Sequence, residues 1–112
     1  MPQTLDLRVR LSLVGPLRPN AEVEVRLLIG HMMETGFRYD GSGVQVAKDI
    51  LQFVKVHMGD ALIFEAELGT GMAANPMLFF SFTLPPQAND LVVSWADDQG
   101  RTGQMRQPVR YS

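Results

Sequence analysis

Apolar and polar residues alternate without interruption in Leu5-Asp6-Leu7-Arg8-Val9-Arg10-Leu11-Ser12-Leu13. Successive side chains of an extended strand point to opposite faces, so this pattern places aliphatic groups on one face and polar groups on the other. On a helix the same aliphatic residues would be spread around the circumference and would form no apolar stripe. The alternation therefore predicts a half-buried β-strand over residues 5–13.

The same alternation returns along the rest of the chain, and turn residues separate its repeats. Further strands are predicted at residues 22–29, 51–58, 62–68, 77–84 and 91–96, followed by a seventh that ends near Pro108. Asp97-Asp98-Gln99-Gly100 is predicted to form the turn before that last strand, and Gly59-Asp60 suits a type II′ hairpin turn. About seven short strands without a long helix predict an all-β fold, an antiparallel immunoglobulin-like β-sandwich.

The alternation also predicts which side chains face the core. Leu62 and Phe64 are expected to face inward in the fourth strand, and Leu78 and Phe80 in the fifth. Trp95 lies among apolar residues in the middle of the sixth strand, which favours a position in or near the core.

Residues 31–48 break this pattern. They contain Gly36, Gly41 and Gly43 and show no sustained period, which predicts a long loop with one short helical turn near residues 47–51. Loops of this length inside a small domain are usually functional or mobile. The segment is therefore the first place to look for a binding site.

Length and charge restrict the possible classes of protein. A chain of 112 residues predicts one domain over residues 1–112. The net charge is −2, and the scattered Lys and Arg form no basic stripe, so binding to nucleic acid or to an anionic membrane is not expected. No apolar run approaches the roughly 20 residues that span a bilayer. The start, Met1-Pro2-Gln3, lacks the character of a signal peptide.

The residue types argue against catalysis by this chain. The absence of Cys excludes disulfides, thiolate zinc sites and thiol chemistry of its own. No serine lies in a Gly-x-Ser-x-Gly elbow, and Gly69-Thr70-Gly71 does not lead into the Lys-Ser/Thr start of a phosphate-binding helix. We therefore predict no catalytic residues, no cofactor and no metal ligands.

A mononuclear metal centre is the main enzymatic alternative. His31 adjoins two methionines and Glu34, and His57 adjoins Met58. Sandwich proteins can build copper or iron sites from His and Met at the ends of strands. Two histidines are few for such a site, so we favour the interpretation in which His31 orients the loop and His57 lies on the surface of a strand. A redox domain that uses both histidines stays open as an alternative.

Aromatic residues are more numerous than one core layer requires. They are Phe37, Tyr39, Phe53, Phe79 and Phe80. Contact with another chain would explain the surplus, because large exposed apolar surfaces and open sheet edges are usually covered. A structural immunoglobulin-like interaction module is therefore a third possibility.

Several segments, in the correct order, resemble those of a known family. The longest is Leu28-Ile29-Gly30-His31-Met32-Met33-Glu34-Thr35-Gly36-Phe37-Arg38-Tyr39-Asp40, which is similar to the signature loop of SoxZ. Gly59, Ala74-Asn75-Pro76 and residues 93–100 also match, so the resemblance covers about residues 5–106. SoxZ is the small cysteine-free subunit of the bacterial sulfur-oxidation carrier complex.

The resemblance implies a non-catalytic subunit that forms a heterodimer with a SoxY-like protein. A Cys near the C-terminus of that partner holds the sulfur intermediate of thiosulfate oxidation, and the pair docks transiently to the Sox enzymes. The resemblance also implies a periplasmic protein, exported together with a signal-bearing partner. The residues expected to bind partners are His31, Met33, Glu34, Arg38, Asp40 and Asn75.

Overall fold

The computed structural model describes residues 4–69 and 71–112, which contain seven β-strands. The strands are β1 (Val9–Val14), β2 (Glu22–Ile29), β3 (Leu51–Met58), β4 (Ala61–Glu67), β5 (Met77–Thr83), β6 (Leu91–Asp97) and β7 (Thr102–Gln107). The chain start at residues 1–3 and Thr70, in the connection after β4, lie outside the described residues.

Two antiparallel sheets form the molecule. The smaller has the order β1-β2-β5 and the larger the order β4-β3-β6-β7. The pairs β2–β5 and β3–β6 join strands that are distant in sequence, as in the Greek-key connections of immunoglobulin-like sandwiches. The predicted antiparallel β-sandwich is therefore confirmed. The described ranges contain no helix that could cross a membrane.

The inner faces of the two sheets provide the core. Val25 and Leu27 of the small sheet and Val54 and Val56 of the large sheet are fully buried. Between the sheets, the rings of Phe64 and Phe80 stack with centroids 4.2 Å apart, which confirms the inward orientation predicted for both.

Trp95 lies in the core as predicted, and its position depends on a glycine. The indole Nε1 donates to the Leu5 carbonyl oxygen at 2.8 Å. This bond passes over Gly103, where a Cβ would collide with the same carbonyl and lie 2.5 Å from Nε1. Any side chain at position 103 would therefore displace either the indole or the N-terminal segment.

The first strand begins at Val9 and not, as predicted, at Leu5. Thr4 forms a parallel bridge with Thr102, and the Leu5 N–H donates to the Thr102 carbonyl at 2.7 Å. The residues before β1 therefore pair with the edge of β7 in the other sheet. Alternation predicted the direction of the side chains correctly, because Leu5 and Leu7 pack against the core, but it could not identify the pairing strand.

The prediction that Leu62 faces the core is wrong. The β3–β4 register shifts between Val56 and His57, so that Val56 lies opposite Phe64 while His57 lies opposite Leu62. This bulge leaves Leu62 48% exposed, and Ile63 packs against the core instead. A bulge places one extra residue in one strand and reverses the alternation beyond it.

Three turn predictions have different outcomes. Gly59 has a φ of +59° and Asp60 a negative φ, which is the sign pattern of the predicted type II′ turn. The helical turn near residues 47–51 is wrong, because Glu34 and Asp49 exchange two backbone hydrogen bonds of 2.8 Å that keep the chain extended. Asp97 is the last residue of β6 and is buried, whereas a place in the turn was expected.

Candidate functional site

The loop of residues 31–48 connects β2 in the small sheet to β3 in the large sheet. A bridge between Glu34 and Asp49 closes it at the sandwich, and a second bridge joins Tyr39 to Gln45 further out. We call residues 31–34, together with the side chains of Asp49, Asn75, Asp97 and Arg101 that surround them, the loop base. We call residues 37–46 the loop tip.

His31 is the centre of the loop base and is only 8% exposed. Its Nδ1 accepts a hydrogen bond of 3.0 Å from the Met33 N–H, and its Nε2 lies 3.4 Å from Asp49 Oδ1. Because Nδ1 is an acceptor, the proton of the neutral imidazole is on Nε2, facing the carboxylate. His31 therefore fixes the start of the loop against the start of β3.

Asn75 holds the same residue from the other side. The His31 N–H donates to Asn75 Oδ1 at 3.1 Å, and the Asn75 N–H donates to the His31 carbonyl at 2.6 Å. The φ of Asn75 is +53°, in the left-handed region that Asn tolerates better than most residues. The connection before β5 is thus bound to the loop by two hydrogen bonds.

Three carboxylates, those of Asp49, Asp97 and Asp98, have oxygen atoms within 4.8 Å of one another. Arg101 donates to Asp97 Oδ2 at 2.5 Å and to Asp49 Oδ1 at 3.0 Å. The third carboxylate accepts the Ile50 N–H at 3.2 Å. Arg101 thus compensates the two carboxylates that it contacts, and the cluster has the character of an ion-pair network.

Asp97 also binds the turn between β6 and β7. Its Oδ1 accepts the N–H groups of Gln99 at 2.9 Å and of Arg101 at 2.8 Å. Burial raises the pKa of Asp97. The hydrogen bonds from these N–H groups and from the Arg101 guanidinium lower it by more than burial raises it, so the net pKa lies below the ordinary value. Neither Asp97 nor Arg101 was among the predicted site residues, although an Asp two residues before a turn N–H is a known signal of an Asx-turn.

Met33 completes the buried part of the base. It is 5% exposed, its φ is +54°, and its Sδ accepts the Leu51 N–H at 3.4 Å. The left-handed conformation costs an ordinary residue about 1–2 kcal/mol, so surrounding contacts must hold it in place. His31 and Met33, which were both expected to bind partners, lie inside the protein.

The loop tip has the opposite character. The exposed fraction is 80% for Phe37, 62% for Tyr39 and 60% for Val44. Asp40, another predicted residue, closes the turn: its Oδ1 accepts the N–H groups of Ser42 at 2.8 Å and Val44 at 3.0 Å. The tip therefore presents three large apolar side chains to solvent on a hydrogen-bonded hairpin.

The predicted residues Glu34 and Arg38 form an ion pair between base and tip. Arg38 donates to Glu34 Oε1 at 2.7 Å, and both carboxylate oxygens accept its Nε at 3.2 Å. This hydrogen bonding lowers the pKa of Glu34 and raises that of Arg38. Of the six predicted residues, His31, Met33, Glu34 and Asn75 belong to the base, whereas Arg38 and Asp40 are exposed in the tip.

The two histidines lie at opposite ends of the sandwich. His31 approaches the start of β3 through Asp49, whereas His57 lies near the end of that strand. His57 is six positions after Leu51, and at about 3.3 Å per residue this part of β3 spans about 20 Å. One mononuclear metal centre cannot use both imidazoles.

The family profile of "Sulphur oxidation protein SoxZ" matches residues 15–108. No curated protein sequence matches the chain significantly.

Several solved structures share the fold. The superoxide reductase (neelaredoxin) of Ignicoccus hospitalis has a TM-score of 0.65 and 10% identity, over 95% of this chain and 82% of that one. A putative superoxide reductase of Thermotoga maritima has a TM-score of 0.67 and 10% identity, over 93% of this chain and 85% of that one. A reduced variant of the Archaeoglobus fulgidus superoxide reductase has a TM-score of 0.61 and 12% identity, over 98% and 97%.

Such low identity shows a common sandwich and nothing about shared chemistry. The family profile is different in kind, because it covers most of the chain and includes the whole loop of residues 31–48. The chain therefore belongs to the SoxZ family of sulfur oxidation proteins.

Proposed function

We propose that this chain is the non-catalytic subunit of a sulfur carrier in thiosulfate oxidation. It binds a SoxY-like protein, and a cysteine of that partner holds the sulfur intermediate. Two facts support the proposal besides membership in the family. The chain has no Cys and so offers no thiol for covalent sulfur, and its loop tip presents unpaired apolar surface.

The loop tip is the observation that carries this proposal. Phe37, Tyr39 and Val44 lie within eight residues of one another and are all exposed. Exposed apolar clusters mark interaction sites, and aromatic side chains provide most of the binding energy at many interfaces. The tip is therefore the proposed contact with the SoxY-like partner.

The loop base makes this contact favourable. His31, Met33 and Asn75 fix the start of the loop by hydrogen bonds before any partner arrives. A surface that is already ordered loses less conformational entropy on binding. The Glu34–Arg38 pair would lie beside the apolar contact as part of a polar rim.

A second apolar surface would serve transient docking to the Sox enzymes. Met77 and Phe79 of β5 are about half exposed on the outer face of the small sheet. Each enzyme must release the carrier after its step, which requires a small or weak interface. A separate surface lets the heterodimer stay intact while enzymes exchange.

The proposed compartment is the periplasm, reached together with the signal-bearing partner. We expect this chain in the periplasmic fraction when the partner is co-expressed and in the cytoplasmic fraction when the partner lacks its signal. If the chain is found in the same fraction whether or not the co-expressed partner carries its signal, export together with the partner is contradicted.

Calorimetry with a purified SoxY-like partner tests the proposed function. We expect a complex of one copy of each chain and, for the double variant Phe37→Ser/Tyr39→Ser, an affinity about 100-fold lower, since two aromatic anchors are removed. Phe79→Ser is the matched control, because it removes an exposed aromatic side chain from another surface. The absence of a complex, or thiosulfate turnover by the isolated chain, would contradict the proposal.

A further inference from the structure

A small cavity lies on the outer face of the small sheet, where β1 and β2 meet the connection before β5. Its volume is about 270 Å³, and Arg8, Arg10, Leu28, Gly30 and Asn75 line it. Arg10 lies opposite Leu28 in the β1–β2 register, and the Gly30 N–H donates to the Arg8 carbonyl at 2.8 Å. Both arginines, two residues apart, are thus placed beside the end of β2.

All the polar side-chain groups available in this cavity are hydrogen-bond donors. A guanidinium has donors only. The Asn75 Oδ1 accepts the His31 N–H, so the Nδ2 amide group is the part of this side chain that is available to a ligand in the cavity. Within the described chain, neither this Nδ2 nor either guanidinium donates a hydrogen bond to another group. The lining contains no carboxylate.

The positive charge of the two arginines in the cavity is also not compensated by a carboxylate of the described residues. Among residues 4–69 and 71–112, the carboxylates within 4.0 Å of an arginine belong to the pairs of Arg26, Arg38, Arg101 and Arg106. Asp6, a near neighbour of Arg8 in sequence, lines a different cavity, on the large sheet. Two unpaired arginines thus lie side by side in a chain with a net charge of −2.

We infer that this cavity binds a sulfur oxyanion, either free as thiosulfate or as the S-sulfonate group on a cysteine of the partner. Guanidinium forks match the geometry of oxyanions and form strong charge-assisted hydrogen bonds. The volume corresponds to roughly nine water molecules, which is ample for a tetrahedral anion. Gly30 has no side chain to obstruct it. The cavity's donors select an oxyanion, and its identification as a sulfur oxyanion, free or carrier-borne, rests on the proposed function.

Nuclear magnetic resonance of the ¹⁵N-labelled full chain tests the site. Titration with thiosulfate, against sodium chloride at equal ionic strength, should give saturable shifts at the Gly30 amide, the Asn75 side-chain NH₂ and the Nε of Arg8 and Arg10. The double variant Arg8→Gln/Arg10→Gln should weaken binding about tenfold or more. Arg26→Gln, on the same sheet but already paired with Glu24, is the matched control and should bind like the wild type.

A second titration uses a peptide that carries an S-sulfonated cysteine. Saturable binding of either probe supports the site, and the probe that binds identifies the source of the oxyanion. The inference is overturned if neither probe binds, if chloride gives the same shifts, or if Arg26→Gln weakens binding as much as the double variant. The Arg8→Gln/Arg10→Gln variant should keep its affinity for the SoxY-like partner. Failure of the anion site would therefore leave partner binding intact, whereas failure of the proposed function would abolish partner binding in the wild type as well.

Discussion

Residues 31–34 of the loop base are only a few positions from the loop tip in sequence, but the base and the tip differ in almost every physical respect. In the base, His31 and Met33 are buried and each is hydrogen-bonded, and Asp97 and Arg101 compensate each other. In the tip, large apolar side chains are exposed to solvent on a short hairpin. The base satisfies every group that it buries, whereas the tip leaves apolar surface without a partner.

This difference assigns two roles to one continuous loop: the base contributes to folding stability, and the tip is available for binding. Buried polar groups must have partners, so changes in the base should lower stability. Exposed apolar groups contribute little to folding, so changes in the tip should affect binding and leave folding intact. If the two parts are as separate as their contacts indicate, substitutions in the base should change stability and substitutions in the tip should change partner binding.

Asp97→Asn should have the largest effect on stability, lowering the free energy of unfolding by about 3 kcal/mol, because it breaks a buried ion pair and leaves Arg101 without its main partner. Urea denaturation followed by Trp95 fluorescence measures it. Asp98→Asn is the matched control, since that side chain only accepts one backbone N–H, and it should cost about 1 kcal/mol or less. An effect of Asp97→Asn no larger than the control would contradict the importance of the base.

The pH dependence of stability should report the same group. The pKa of Asp97 is lowered in the folded protein, so its contribution is fully present above the ordinary pKa of about 3.9 and is lost as the pH falls through the lower folded value. The urea midpoint of the wild type should therefore fall below about pH 4. Asp97→Asn should flatten this fall, with the remainder from Glu34, whose pKa is also lowered. Equal slopes in both proteins would refute this assignment.

Two substitutions of Asn75 should separate its hydrogen bond from its backbone conformation. Asn75→Gly removes the acceptor of the His31 N–H and should cost about 1 kcal/mol. Asn75→Ala should cost about 1 kcal/mol more, because alanine is strained at a positive φ. Asn20, with a φ of 64°, is the control position. Asn20→Gly should leave the free energy of unfolding nearly unchanged, and Asn20→Ala should lower it only by the strain of a positive φ. If Asn75→Gly is as stable as the wild type, the connection to His31 does not hold the base.

Phe37→Ser and Tyr39→Ser should have the smallest effect on folding, within about 0.5 kcal/mol of the wild type, because both side chains are largely exposed. Thermal and urea denaturation of each variant measure this. A loss of 2 kcal/mol or more would mean that the tip is part of the folding unit, and the division between base and tip would fail.

The strands could be predicted from sequence because alternation directly reports one buried and one exposed face. The errors occurred where hydrogen-bond pairing, and not side-chain direction, decides the outcome. The bulge at Val56/His57 reversed the position of Leu62, and the pairing of Leu5 with β7 shortened the first strand. Neither feature changes the apolar pattern in its own segment.

The position of the candidate site in the chain could be predicted from sequence, but its division into a buried base and an exposed tip could not. The loss of alternation marked residues 31–48, and the predicted set included His31 and Asn75. Their contact joins residues 44 positions apart, and the bond from Arg101 to Asp49 spans 52 positions. Because these partners come together only in the folded sandwich, the sequence could not distinguish the buried base from the exposed tip.

Hydrogen–deuterium exchange with and without the SoxY-like partner tests the central claim most directly. If the chain is a thiol-free scaffold that binds its partner through the loop tip, amides of residues 37–46 should exchange about tenfold or more slowly in the complex. Amides of the base, already hydrogen-bonded in the free chain, should change little. Unchanged exchange across residues 37–46, with protection elsewhere in the complex, would contradict the account.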